Sequence, residues 1–309
     1  MEYRVLRVLV TGGLGFIGSE VARLCHKHGD DVHVIIRPGT ADERLDALPA
    51  GVMAHRVDLT DLEDVTSVVT SHRPVAVVHA ASSPAHPATP EERIAAWRDD
   101  VIATVTLLEA LRRQPPQRLV HIGSSLVYRP SPEPLHESSP LAPETLRGVV
   151  KLAAEAAVRQ WAAETGVPSV VIRPFSVYGP GADQGRVIPV LLLALRTRMP
   201  FAMVSDESRR DFVHITDVAR CVTQVMSSPV ADGRVLNVGT GIETSIKELV
   251  AVAERVTGTA AVTAPNSHRG TPPQRPHWCA DPSLAEELLG WTAEVSLKEG
   301  LGMLWDMDR

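Results

Sequence analysis

The run Val5-Leu6-Arg7-Val8-Leu9-Val10-Thr11-Gly12-Gly13-Leu14-Gly15-Phe16-Ile17-Gly18 decides the fold of this 309-residue chain. An apolar strand over Val5–Thr11 feeds a glycine-rich turn, and a helix follows over Gly18–His28, stopped by Gly29. That strand–turn–helix context implies a dinucleotide site. Gly12 permits the tight turn, Gly15 lets a pyrophosphate approach the backbone, and Gly18 allows helix and strand to pack closely. Phe16 and Ile17, between the turn and the helix, are expected beside the cofactor, and the helix N-terminus meets the phosphates with free N–H groups and the positive end of its dipole.

Outward from this unit, apolar runs alternate with helix-period segments, as in a parallel sheet wrapped by helices. Strands are expected at Val32–Ile36, Val52–Val57, Val75–Ala80, Leu119–Ile122 and Val170–Ile172. Helices are expected at Asp61–Val69, Glu91–Leu111 (ended by Pro115-Pro116) and Leu146–Thr165. The fold class is therefore α/β, a Rossmann-type doubly wound parallel sheet with a smaller C-terminal substrate lobe. A nucleotide-binding domain over 1–174 and a substrate lobe over 175–309 are expected, with 210–240 crossing back into the first.

Composition narrows the function. A net charge of −6 offers no broad attraction to nucleic acid or to acidic membranes. No export signal and no apolar run of spanning length is evident, so a cytoplasmic protein is expected. Cys25, Cys221 and Cys279 are scattered without metal-ligand spacing, which implies reduced thiols and no metal.

The end of the second strand reads Ile35-Ile36-Arg37-Pro38, with no acid to bond a ribose 2′-OH. Arg37 suits a 2′-phosphate, which favours NADPH and leaves NADH open. Asp58 and Leu59 follow the third strand, where the carboxylate is placed to accept from an adenine amino group. Ala80 and Ala81 end the fourth, where small residues let a cofactor approach the backbone.

These features, with Val78-His79-Ala80-Ala81, Ser124-Ser125-Leu126-Val127-Tyr128, Lys151-Leu152-Ala153-Ala154-Glu155, Arg173 through Gly181, Arg210 through His214 and Asn237 through Gly241, carry a family resemblance. The chain resembles the extended short-chain dehydrogenase/reductases of the NAD-dependent epimerase/dehydratase family. The resemblance implies seven strands in the nucleotide-binding domain, Ser124 orienting a substrate carbonyl and Lys151 holding the nicotinamide ribose. It also implies Pro174 and Val177 beside the cofactor.

Three departures from the family pattern follow. Arg147 stands four residues before Lys151, where the family carries its proton-exchanging tyrosine; Asp100 stands where many relatives have asparagine; and Ser176 replaces an asparagine of the diphosphate side. A tyrosine of pKa about 10 can be tuned to shuttle protons, whereas a guanidinium stays charged beyond about pH 12. Because like charges four apart on a helix repel, Arg147 is expected to turn away from Lys151.

The tyrosine-less pattern is similar to that of angucyclinone ketoreductases in simocyclinone-type antibiotic tailoring. It implies an NADPH-dependent ketoreductase of a polycyclic aromatic ketone, protonated by the substrate's own hydroxyl or by water. Trp278, Met199, Phe201 and Met203 fit a bulky apolar substrate, and Thr271-Pro272-Pro273-Gln274 lacks the family's diphosphate-binding arginine in that register, for which Arg269 or Arg275 can substitute. His214 reads as structural. Two alternatives stay open: a nucleotide-sugar epimerase or dehydratase using Glu137 or Glu144 as acid, and a non-catalytic NADP(H)-binding sensor. The long helices Glu91–Leu111 and Leu146–Thr165 offer a homodimer face.

Overall fold

The computed structural model describes residues 5–83, 88–203, 208–265 and 277–307. The chain forms two compact units: Met1–Arg129 with Pro140–Arg173 and Ala219–Leu236, and Pro130–Ser139 with Pro174–Val218 and Asn237–Arg309. The sequence places the boundary near 174. It does not show that Pro130–Ser139 groups with the second unit, or that the returning segment is Ala219–Leu236 rather than 210–240.

The first unit is built on β1 (Arg7–Thr11), β2 (Asp31–Ile36), β3 (Met53–Arg56), β4 (Ala76–His79), β5 (Arg118–Ile122) and β6 (Ser169–Pro174), with α1 (Phe16–Lys27) and α2 (Leu62–His72) among its helices. Every pairing from β3 to β6 is parallel. The central strands β4 and β5 are buried along their whole length, as expected where helices cover both faces. A later strand from Val235–Val238 joins beside β6, giving seven strands in all. The order reverses at β1, which has β4 on one side and β2 on the other. Sheets of this kind bind ligands at the carboxyl ends of the strands where the order reverses.

The segment expected as one helix over Glu91–Leu111 is α3 (Pro90–Trp97) and α4 (Ala103–Arg113), joined by a π-helical turn over Arg98–Ile102. Thr89 and Glu92 close a capping box at the start of α3. The wider π turn carries Asp100 into the interior, a placement that helical periodicity does not reveal. Helix α5 (Leu146–Thr165) has the expected limits. Thr145 accepts from the Gly148 N–H at 3.1 Å, and Gly166 leaves the helix at φ 71°.

The second unit holds β7 (Ser176–Tyr178), α6 (Val187–Thr197), β8 (Phe201–Met203), β9 (Arg209–His214) and the start of α7 (Ile215–Ser227). β10 (Val235–Val238) leads into it, followed by β11 (Glu243–Ser245), α8 (Ile246–Thr257), β12 (Thr263–Pro265), α9 (Ser283–Leu289) and α10 (Leu297–Met307). β11, β9 and β7 form a three-stranded sheet, and β12 pairs with β8. Its core joins Ile188, Leu191, Phe201, Phe212, Leu249 and Leu301. Among the described residues, no helix is long and apolar enough to cross a membrane.

Within the first unit, the Arg173 guanidinium is buried on two bonds to the Glu155 carboxylate, at 3.0 and 2.5 Å. It also donates to the Tyr128 hydroxyl at 2.8 Å. A desolvated charge costs several kcal/mol unless paired. Glu155→Gln should therefore lower stability by about 3–5 kcal/mol in urea unfolding, because Arg173 stays buried without its counter-charge.

Candidate active site

The glycine turn sits at the carboxyl end of β1. Gly12 (φ 69°) and Gly13 both donate to the Ile35 carbonyl, at 3.0 and 3.3 Å, and Gly15 donates to Gly12 O at 2.8 Å. A Cβ on Gly18 would lie 2.3 Å from Gly12 O, and one on Gly12 would lie 2.7 Å from Ala81 Cα. The turn thus fits against the end of β4, where Ala80 donates to Thr11 O and Ala81 to the Thr11 hydroxyl. Gly13 was not singled out from sequence, yet a Cβ there would lie 2.3 Å from Val34 Cβ. No side chain caps α1 at Gly15, and its first turn holds no acid. The start of α1, at Phe16 and Ile17, is thus suited to the phosphates of a dinucleotide.

Lys151 on α5 is buried and points its ammonium at the Ile122 carbonyl (3.1 Å) and at Asp100 Oδ1 (3.2 Å). The Asp100 carboxylate is saturated: Oδ1 also accepts from the Ser82 hydroxyl at 2.7 Å, and Oδ2 accepts from the Ser83 N–H at 3.0 Å and the Ser83 hydroxyl at 2.5 Å. Burial pushes this carboxyl up, but Lys151 and the two serines outweigh it and hold it well below the usual range. Burial lowers Lys151 from its ordinary value, Asp100 raises it, and Arg147 lowers it again. His79 lies behind the pair, bonded to Thr11 at 2.6 Å and Thr104 at 2.9 Å, and burial and the Lys151 charge lower it to about 3.

Arg147 does not turn away as its spacing from Lys151 implied. It is half-buried and donates to the Ser83 carbonyl at 2.9 Å, on the same short segment that binds Asp100. Ser124 caps a short 3₁₀ turn over Ser125–Val127, accepting from the Leu126 N–H at 3.2 Å. Its O–H remains available to donate to a substrate oxygen. Tyr128 is fully buried against Arg173, whose guanidinium donates to its hydroxyl.

The other expected cofactor residues are spread more widely. Exposed Arg37 ends β2, paired with Asp99 at 2.8 Å. Asp58 accepts from the Thr60 N–H at 2.9 Å and hydroxyl at 2.8 Å, and pairs with Arg98; Leu59 packs on the core beside it. Pro174 and Val177 lie in the second unit, at its start and on β7.

Of the remaining candidates, exposed Glu144 belongs to the first unit and the others to the second. Glu137 accepts from the Asn237 N–H at 2.7 Å, and His214 bonds Thr216 at 2.7 Å. Trp278 and Phe201 are core residues, and Met199 is exposed. The Met203 side chain and residues 266–276, including Arg269, the 271–274 stretch and Arg275, lie outside the described residues. All three cysteines are buried and unpaired.

Residues 8–239 match the NAD dependent epimerase/dehydratase family. A UDP-glucose 4-epimerase of Corynebacterium glutamicum is 29% identical over 306 residues, covering 94% of this chain and 91% of the relative. A dTDP-6-deoxy-L-talose 4-dehydrogenase (NAD(P)(+)) of Kitasatospora kifunensis is 31% identical over 311 residues, covering 97% and 94%. Among solved structures, UDP-glucuronic acid 4-epimerase of Bacillus cereus, in complex with UDP-glucuronic acid and NAD, superimposes with a TM-score of 0.88. It is 25% identical and the match covers 97% of this chain and 98% of that one.

If the glycine turn is the phosphate cradle, Gly18→Ala should weaken NADPH and NADH binding at least tenfold, because the added Cβ forces Gly12 out of place. Titration of nicotinamide fluorescence checks this, with circular dichroism to confirm the fold.

Proposed function

The chain belongs to the NAD dependent epimerase/dehydratase family, and from that premise we propose that it is an NAD(P)-dependent oxidoreductase working as a ketone reductase. The observation that carries this reading is Arg147 beside an intact Lys151–Asp100 pair. A bound nicotinamide supplies the hydride; the protein's own groups position the ketone and manage charge. Lys151 holds the nicotinamide ribose, and Ser124 donates to the substrate oxygen.

Oxidising an alcohol needs a base for the hydroxyl proton, and a guanidinium, protonated at all ordinary pH, is none. Reducing a ketone needs stabilisation of a forming alkoxide, which nearby cations provide, and the proton then arrives from water or the substrate. Epimerisation requires an oxidation as well as a reduction at one carbon, so the site favours the reductive half alone.

Named relatives act at position 4 of nucleotide-activated hexoses, and a nucleotide-linked keto-hexose is the proposed substrate class. The expected aromatic ketoreductase finds no counterpart among these relatives. It stands as a second reading, favoured by Arg147 and Ser176: a phenolic hydroxyl beside the ketone of an angucyclinone-like polyketide supplies the internal hydrogen bond the protein lacks. Arg37 favours NADPH as the electron donor, although the B. cereus structure holds NAD.

The test is NADPH and NADH oxidation, followed by absorbance, with dTDP- and UDP-linked 4-keto-hexoses and with hydroxylated polycyclic quinone–ketones. Turnover of the keto-sugars supports the first reading, and turnover of the aromatic ketones alone supports the second. Cofactor binding with no reduction of either overturns the proposal. Lys151→Ala should lower kcat/KM at least about 100-fold, whichever ketone is used.

A cytoplasmic homodimer is part of the proposal. Ile94, Trp97, Ile102 and Val105 on the α3–α4 segment, and Val149 on α5, are exposed apolar residues of the two helices expected to pair. Light scattering should give twice the monomer mass, and Trp97→Glu with Val105→Glu should give monomers.

A further inference from the structure

We propose that Asp31, His33 and His72 form a binding site for one divalent transition-metal ion, Zn²⁺ in the first instance, with His55 as the outer partner that orients His33. None of these residues belongs to the cofactor turn or the Lys151 network. The site lies where β2 begins, whereas the glycine turn follows the end of the parallel β1, so the two occupy opposite edges of the sheet.

The local structure explains the convergence. Asp31 and His33 are two apart on β2 and so share a face. The register sets Ile35 against His55 on β3, which makes His55 a diagonal neighbour of His33. His72 ends α2 and stacks its ring on that of His33, with centroids 3.4 Å apart and planes at 17°.

One donor atom from each of Asp31, His33 and His72 lies within 4.8 Å of the others. Ligands on a tetrahedral Zn²⁺ sit about 3.4 Å apart and the ion lies in the plane of each imidazole, so loading requires the His33–His72 stack to open by rotation of one ring. His33 Nε2 already lies 3.5 Å from Asp31 Oδ1.

The proton arrangement suits a metal. His33 Nδ1 is bonded to His55 Nε2 at 2.8 Å, which leaves Nε2 to face the ion. Second-shell bonds of this kind fix the orientation and basicity of a ligating histidine. His72 Nε2 is buried with no hydrogen-bond partner, an atom whose lone pair calls for an acceptor of electrons. Two nitrogens and a carboxylate suit Zn²⁺ and its first-row neighbours rather than Ca²⁺ or Mg²⁺, with water completing the sphere. Its distance from the cofactor turn makes it a site that ties β2, β3 and α2 together.

The experiment is calorimetric titration of ZnCl₂ into the tag-free, chelator-stripped full-length chain at neutral pH. One ion per chain is expected, with a rise in melting temperature. Asp31→Asn, at an exposed position, and His72→Ala should each weaken binding at least tenfold, and His55→Ala about tenfold through the outer shell. Co²⁺ loading should give visible bands of a four- or five-coordinate site that vanish in His33→Ala. Absence of saturable binding overturns the proposal, as does Zn²⁺ binding of equal affinity in folded Asp31→Asn and His33→Ala chains.

Discussion

The Asp100 carboxylate, held under the surface against the Lys151 ammonium, is the constraint on which the rest of the site depends. Two desolvated charges persist only if every remaining lone pair and proton is matched. Here Ser82 and Ser83 fill the remaining lone pairs of the carboxylate, and the Ile122 carbonyl takes a second ammonium proton. The π turn over Arg98–Ile102 supplies the geometry by widening the helix at the one point where an acid must face inward. The end of β4 supplies the two serines, so the sheet edge that receives the glycine turn also fixes the lysine.

Asp100 and Arg147, two of the three departures from the family pattern, both bond the Ser83 backbone. A guanidinium four residues before a buried lysine would repel it. Asp100 offsets the Lys151 charge, and Arg147 donates to the Ser83 carbonyl, on the segment that binds Asp100. At this point of α5 stand a guanidinium and, one turn on, a buried ammonium, with the Ser124 hydroxyl on the turn that follows β5.

Much of the fold is legible in the residues. The glycine turn, the buried β4 and β5, and α5 with Thr145 before it and Gly166 after it follow from period, cap and turn chemistry. Other features arise from tertiary contacts that have no linear signature. The π turn looks like uninterrupted helix in sequence. Gly13 matters only because Val34 lies across from it on β2. Tyr128, part of the motif by position, spends its hydroxyl on Arg173. The spacing of Arg147 and Lys151 carries no sign of Asp100, which pairs with Lys151 from far earlier in the chain. The histidine cluster draws on β2, β3 and α2, and no local spacing announces it.

The dependence of Arg147 on Asp100 is tested most directly by a double-mutant cycle in urea unfolding, using Asp100→Asn, Arg147→Tyr and both together. The account predicts that Asp100→Asn is severe in the native background and much milder once Arg147 is replaced. The coupling should then exceed about 1 kcal/mol. Additivity within about 0.5 kcal/mol would contradict it, because the guanidinium would then be indifferent to the charge at position 100.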